Sequence, residues 1–64
     1  MNGQELKMRR IKLGLIQRHL AILLGVSELT VWKWENDKVR IAERIEPALE
    51  IIEIRLNKRK KGAA

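Results

Sequence analysis

Apolar residues recur along this chain at intervals of three and four, the spacing that keeps side chains on one side of a helix. No stretch alternates apolar and polar residues between hairpin turns, as a half-buried strand would. Four helices are predicted. The first covers roughly Gly3 to Leu13 and ends at Gly14, a residue able to adopt the left-handed conformation that stops a helix. The second is short, Gln17 to Leu24, with Leu20, Ala21 and Leu24 on one side and Gly25 as its stop. Ser27 caps the third, Glu28 to Glu35, because its hydroxyl can accept a free backbone N–H at the helix start. Pro47 bounds the fourth. Its missing amide hydrogen and its clash with the carbonyl four residues back place the helix start around Arg44 to Glu46, after a turn at Ile41 to Glu43, with an end near Asn57. The expected fold class is therefore all-α: a small four-helix domain over residues 1–57, then a basic tail over residues 58–64 that should fray.

Helical angles sort the side chains further. Taking Ile45 as zero, Leu49, Ile52 and Leu56 fall within about 40° of it and Ala48 about 60° away, which makes one core stripe. Ile51 and Ile54 fall near 240° and 180° and cannot join that stripe. With Pro47 and the stem of Lys58 they form a second apolar strip, expected to be a homodimer contact across a two-fold axis. The only aromatic residues, Trp32 and Trp34, are turned about 200° apart on the third helix, so they cannot both be core. Trp34 is assigned to the interior and Trp32 to the surface.

The second and third helices carry a mechanism between them. Two short helices joined by a Gly-centred turn can cross steeply only if a small residue sits at the crossing and apolar residues fill the angle. Ala21 is that small residue and Gly25 supplies the turn, while Leu20, Leu24, Val26, Val31 and Trp34 fill the inside. These are the demands of a helix-turn-helix. With Val31 and Trp34 inward, Ser27, Glu28, Leu29, Trp32 and Lys33 are left for a DNA groove. Lys33 can donate to guanine, Glu28 can accept from cytosine N4, and Leu29 can lie against a thymine methyl. Thr30 is expected to contact phosphate or to pack.

The segments ELKMRRIKLGLIQ, LAILLGVS and TVWKWEN together resemble the Cro and phage-repressor family of helix-turn-helix DNA-binding domains, over roughly Glu5 to Lys38 without gaps. VRIAERIEPALEIIE resembles the ending of small members of that family. The resemblance implies a compact lambda-repressor-like fold whose third helix enters the major groove. It implies that Gln17 and Asn36 hold backbone phosphates, and that Arg10 and Glu35 form an internal ion pair fixing the angle of the recognition helix. Arg18 stands beside Gln17 as a phosphate neighbour, and Lys38 and Arg40 follow Asn36 on the opposite phosphate rail. His19 is expected to be an ordinary exposed side chain. The chain departs from the family pattern at four places: Ile16 where a capping Ser or Thr is usual, Arg9 in an apolar slot, Asp37 for a turn glycine, and Ala42 for a proline.

Charge and composition narrow the partners. Fourteen Lys and Arg stand against eight Asp and Glu, for a net charge of +6. They are segregated: residues 1–40 hold eight basic and four acidic groups, residues 41–56 two basic and four acidic, and residues 57–64 four basic and none acidic. A polyanion facing residues 7–40 would match that distribution. Without cysteine, and with one histidine, neither a disulfide framework nor a zinc cluster is available, and no metal or cofactor is expected. A chain of 64 residues has little room for a catalytic cleft and carries no nucleophile-base-acid set, so it is not expected to be an enzyme. No segment reads as a signal peptide or membrane span, and a cytoplasmic location is expected. The functional expectation is a dimeric, sequence-specific double-stranded DNA-binding repressor acting on a near-palindromic operator. The competing expectation is an interaction module, such as an antitoxin that neutralises a toxin-like protein partner, with DNA binding secondary.

Overall fold

In the computed structural model, which describes the backbone of residues 1–63 and the side chains of residues 1–57, each of the first three helices stops where the sequence lets the backbone turn. Helix α1 is Gly3–Lys12, α2 is Gln17–Leu24, α3 is Glu28–Glu35 and α4 is Ile45–Ala63. Asn2 caps α1, its side-chain oxygen accepting the Glu5 N–H at 2.8 Å, and Ser27 caps α3 by accepting the Thr30 N–H at 3.1 Å. Ile16 precedes α2 without a side-chain cap. Gly25, at φ 73°, ends α2 in the left-handed region, and no neighbouring atom would crowd a side chain there, so conformation alone selects glycine.

Nine buried apolar residues make the core among the described side chains: Leu6, Leu20, Ala21, Leu24, Val31, Trp34, Ile45, Leu49 and Ile52. Helix α2 packs on both α3 and α4, and α1 packs on α3. Val26 in the turn, Leu13 and Leu15 after α1, Ile41, and Ala48 and Leu56 on α4 close over this core while staying partly exposed. The inward stripe of α4 is the expected one. Pro47 is the third residue of α4, where the N–H it lacks would have had no partner within the helix.

Helix α1 ends at Lys12 with Leu13 as its cap, within the rough bounds expected. One boundary differs from expectation. Helix α4 does not stop near Asn57 but continues to Ala63. The segment Lys58–Lys61 contains no proline or β-branched residue to break it, and cations are favoured at a helix carboxyl end. The side chains of the basic tail lie outside the described residues.

Helix α1 inserts only one fully buried apolar side chain, Leu6, and polar contacts do much of the remaining work. A Cβ on Gly3 would lie 2.3 Å from the Trp34 carbonyl oxygen and 2.7 Å from that of Glu35, so the start of α1 reaches the end of α3 only because residue 3 has no side chain. The Gly3 N–H donates to Asp37 Oδ1 at 3.0 Å. Asp37 itself sits at φ 56°, the left-handed conformation that a turn glycine would take. Its carboxylate lies where the amino end of α1 favours negative charge.

Candidate nucleic-acid interface

Helix α3 turns its apolar demands inward and leaves a continuous outer face. Val31 and Trp34 are buried, whereas Leu29 is 58 % and Trp32 43 % exposed, so the two tryptophans divide between core and surface as their angular separation requires. Glu28 and Lys33 are exposed beside them, and Thr30 is half-buried. At the start of the helix the Ser27 and Thr30 hydroxyls share a hydrogen bond of 2.8 Å. That bond uses one of the two hydroxyl hydrogens, and the Ser27 oxygen also holds the helix cap.

The orientation of α3 is set by one buried carboxylate. Arg10 grips Glu35 with two parallel hydrogen bonds, Nε to Oε2 at 2.7 Å and Nη2 to Oε1 at 3.0 Å. The Glu35 side chain is 1 % exposed and that of Arg10 12 %. Arg10 Nη1 also donates to the Leu15 carbonyl at 2.9 Å, and Gln17 Nε2 donates to Glu35 Oε1 at 3.0 Å. The expected ion pair is thus a three-element lock: α1 supplies the guanidinium, α3 the carboxylate, and the first residue of α2 the third donor. Gln17, expected at a phosphate, spends one amide hydrogen inside the protein and keeps its carbonyl and other hydrogen for the surface.

Beyond α3, Asn36 donates from Nδ2 to the Trp32 carbonyl at 2.9 Å and closes the helix end. Asn36, Lys38 and Arg40 are all exposed, as are Arg18 and His19 at the start of α2. The cations expected to flank the recognition helix therefore all face solvent.

The partner of Arg9 is what sequence reasoning missed. Standing in a slot where the resembling family is commonly apolar, Arg9 makes a bidentate pair with Glu53 of α4, Nη2 to Oε1 at 2.6 Å and Nε to Oε2 at 2.9 Å. Glu5 and Glu46 lie 3.7 and 3.9 Å from its Nη1. Its hydrogen bond to Glu53 raises the Arg9 pKa and holds the Glu53 carboxyl below the usual glutamate value. The available signal was the pair Glu46 and Glu53, seven residues apart and so on one face of α4, together with Glu5 four residues before Arg9. Consecutive arginines thus bind different partners: Arg9 holds α4 and Arg10 holds α3.

Among the described residues no three His, Asp or Glu side chains converge on a metal-sized site, and no helix is long and apolar enough to cross a membrane. No protein-family model matches this chain, and no curated protein or solved structure shows detectable similarity to it.

Proposed function

We propose that this chain is a sequence-specific double-stranded DNA-binding regulator of the Cro and phage-repressor kind, acting in the cytoplasm as a dimeric repressor. The observation that carries this reading is α3 itself: a helix capped at its start, locked at its end through Glu35, and free of core duties on the face holding Glu28, Leu29, Trp32 and Lys33. A rigid helix with an uncommitted outer face is what major-groove readout requires. Lys33 donates to guanine, Glu28 accepts from cytosine, and the apolar pair meets the groove floor. Arg18, Lys38 and Arg40, with the free edges of Gln17 and Asn36, contact the phosphates on either side.

The exposed Ile51 and Ile54 of α4 support the dimer, because a two-fold contact through that strip would cover them and set two α3 helices about 34 Å apart on successive major grooves. Occupying an operator that overlaps a promoter would exclude polymerase without any activating surface. Selection of bound sequences from a random duplex pool tests the role directly. A near-palindromic site should emerge, and its affinity should fall steeply with salt as counterions are displaced from several phosphates. Failure to enrich any duplex at modest salt would favour instead the protein-binding, antitoxin-like role.

A further inference from the structure

The outer face of α3 is centred on an apolar side chain. Opposite the direction shared by the buried Val31, Trp34 and Glu35, the helical angle falls within about 20° of Leu29, with Trp32 about 60° to one side of it and Lys33 about 40° to the other. Neither Leu29 nor Trp32 belongs to the core or to the partly buried layer around it. The exposed groups flanking them are one anion, Glu28, and one cation, Lys33, so this face is electrically balanced. The exposed cations expected beside the recognition helix, Arg18, Lys38 and Arg40, lie off the helix. Lys33 places one cation beside the apolar centre, and the other cations that would hold a polyanion stand around it.

Hydrogen-bonding groups at that centre are few. One hydroxyl hydrogen of the Ser27–Thr30 pair is spent between the two side chains, and Asn36 gives one amide hydrogen to the Trp32 carbonyl. A major groove presents one apolar group to such a surface, the methyl at C5 of thymine, and methylation of cytosine at C5 places the same group at the same ring position. Glu28 stands four residues before Trp32 and therefore on the same side of the helix. A carboxylate beside an apolar surface matches the N4 amino group and the neighbouring C5 methyl of 5-methylcytosine, while an apolar surface alone suffices for thymine.

We infer that Leu29 and Trp32 form a reader of pyrimidine C5 methyl groups, so that a duplex binds this protein by its methyls at the centre of the contact; this presupposes the duplex-binding role proposed above. Uracil in place of thymine weakens the complex, and 5-methylation of a cytosine facing the pair strengthens it. Each buried methyl is worth about fourfold in affinity.

The test uses the full chain and the duplex enriched from the random pool. The duplex is resynthesised with deoxyuridine at each thymine singly and with 5-methyldeoxycytidine at each cytosine singly, and affinities are read by fluorescence anisotropy at one salt concentration. At least one position per half-site should change about fourfold with its methyl. The uracil arm identifies thymine as the source of the methyl, and the methylcytosine arm identifies cytosine. In Leu29→Ala or Trp32→Ala the methyl effect at that position should vanish, whereas Leu29→Met should keep it. Unchanged helicity by circular dichroism in the variants would separate this loss from unfolding. Tight binding by the parent with no methyl effect at any position overturns the inference and leaves the DNA-binding role standing. So does a methyl effect that survives both alanine variants. If no duplex is enriched, the role and the inference fall together.

Discussion

Gly3 tolerates no added carbon. In Gly3→Ala the new methyl would meet backbone oxygens of residues 34 and 35, which cannot swing aside as a side-chain tip could, so α1 must shift off the end of α3. A destabilisation of about 1–3 kcal/mol, the usual cost of overpacking, should appear as a lowered midpoint in thermal denaturation. The two lysines near the far end of α3 should behave differently from each other. Lys33→Ala should lose about 1–3 kcal/mol on the preferred duplex and relax the choice at one base pair, whereas Lys38→Ala should weaken all sequences alike and flatten the salt slope by about one unit. Equal losses without any change in base preference would place Lys33 on a phosphate. At this scale the division of Trp32 and Trp34 was legible, because two residues on one helix have a fixed angular relation. The constraint on Gly3 was not, since it depends on a carbonyl more than thirty positions away that only the folded chain brings near.

Helix α1 is attached to its neighbours largely by ions and hydrogen bonds of fixed geometry. The Glu53 carboxyl titrates below the ordinary glutamate value in the folded chain, chiefly because Arg9 hydrogen-bonds to its charged form. A lowered folded pKa contributes stability that is present above the unfolded value and is lost as pH falls through the folded one. Thermal stability should therefore decline as the solution is acidified below about pH 4.3, the unperturbed glutamate value. Glu53→Gln should be less stable than the parent by about 1 kcal/mol at neutral pH, with a shallower acid limb, because a partly exposed pair contributes little more than that. An acid limb unchanged by the substitution would assign the loss to other carboxylates. The elements themselves were largely readable: glycines, a serine cap and one proline mark ends by local chemistry. The Arg9–Glu53 tie escaped because nothing local in α1 identifies which helix an out-of-place arginine will meet. The carboxyl end of α4 escaped because a run of lysines is compatible with both helix and coil.

For the whole molecule the decisive question is what covers α4. Ile51 is 53 % and Ile54 65 % exposed, on the side of the helix away from the stripe that enters the core. Substituting both with Lys should leave the monomer folded, reduce the mass measured in solution to that of one chain, and weaken a full operator far more than a half-site. A double variant that keeps the parental mass and full-site affinity would exclude this strip as the dimer contact. The interior has a separate consequence. The nine buried apolar residues among the described side chains are a small core, and a domain of this size holds its folded state by only a few kcal/mol. By mass action, any ligand restricted to the folded form adds to that margin, by about 2.7 kcal/mol at one hundred times its dissociation constant. For the proposed repressor, occupied molecules would be folded molecules, while unoccupied ones would visit the unfolded state far more often and meet proteases there. The lifetime of the protein would then follow the number of vacant operators, with no dedicated degradation signal required.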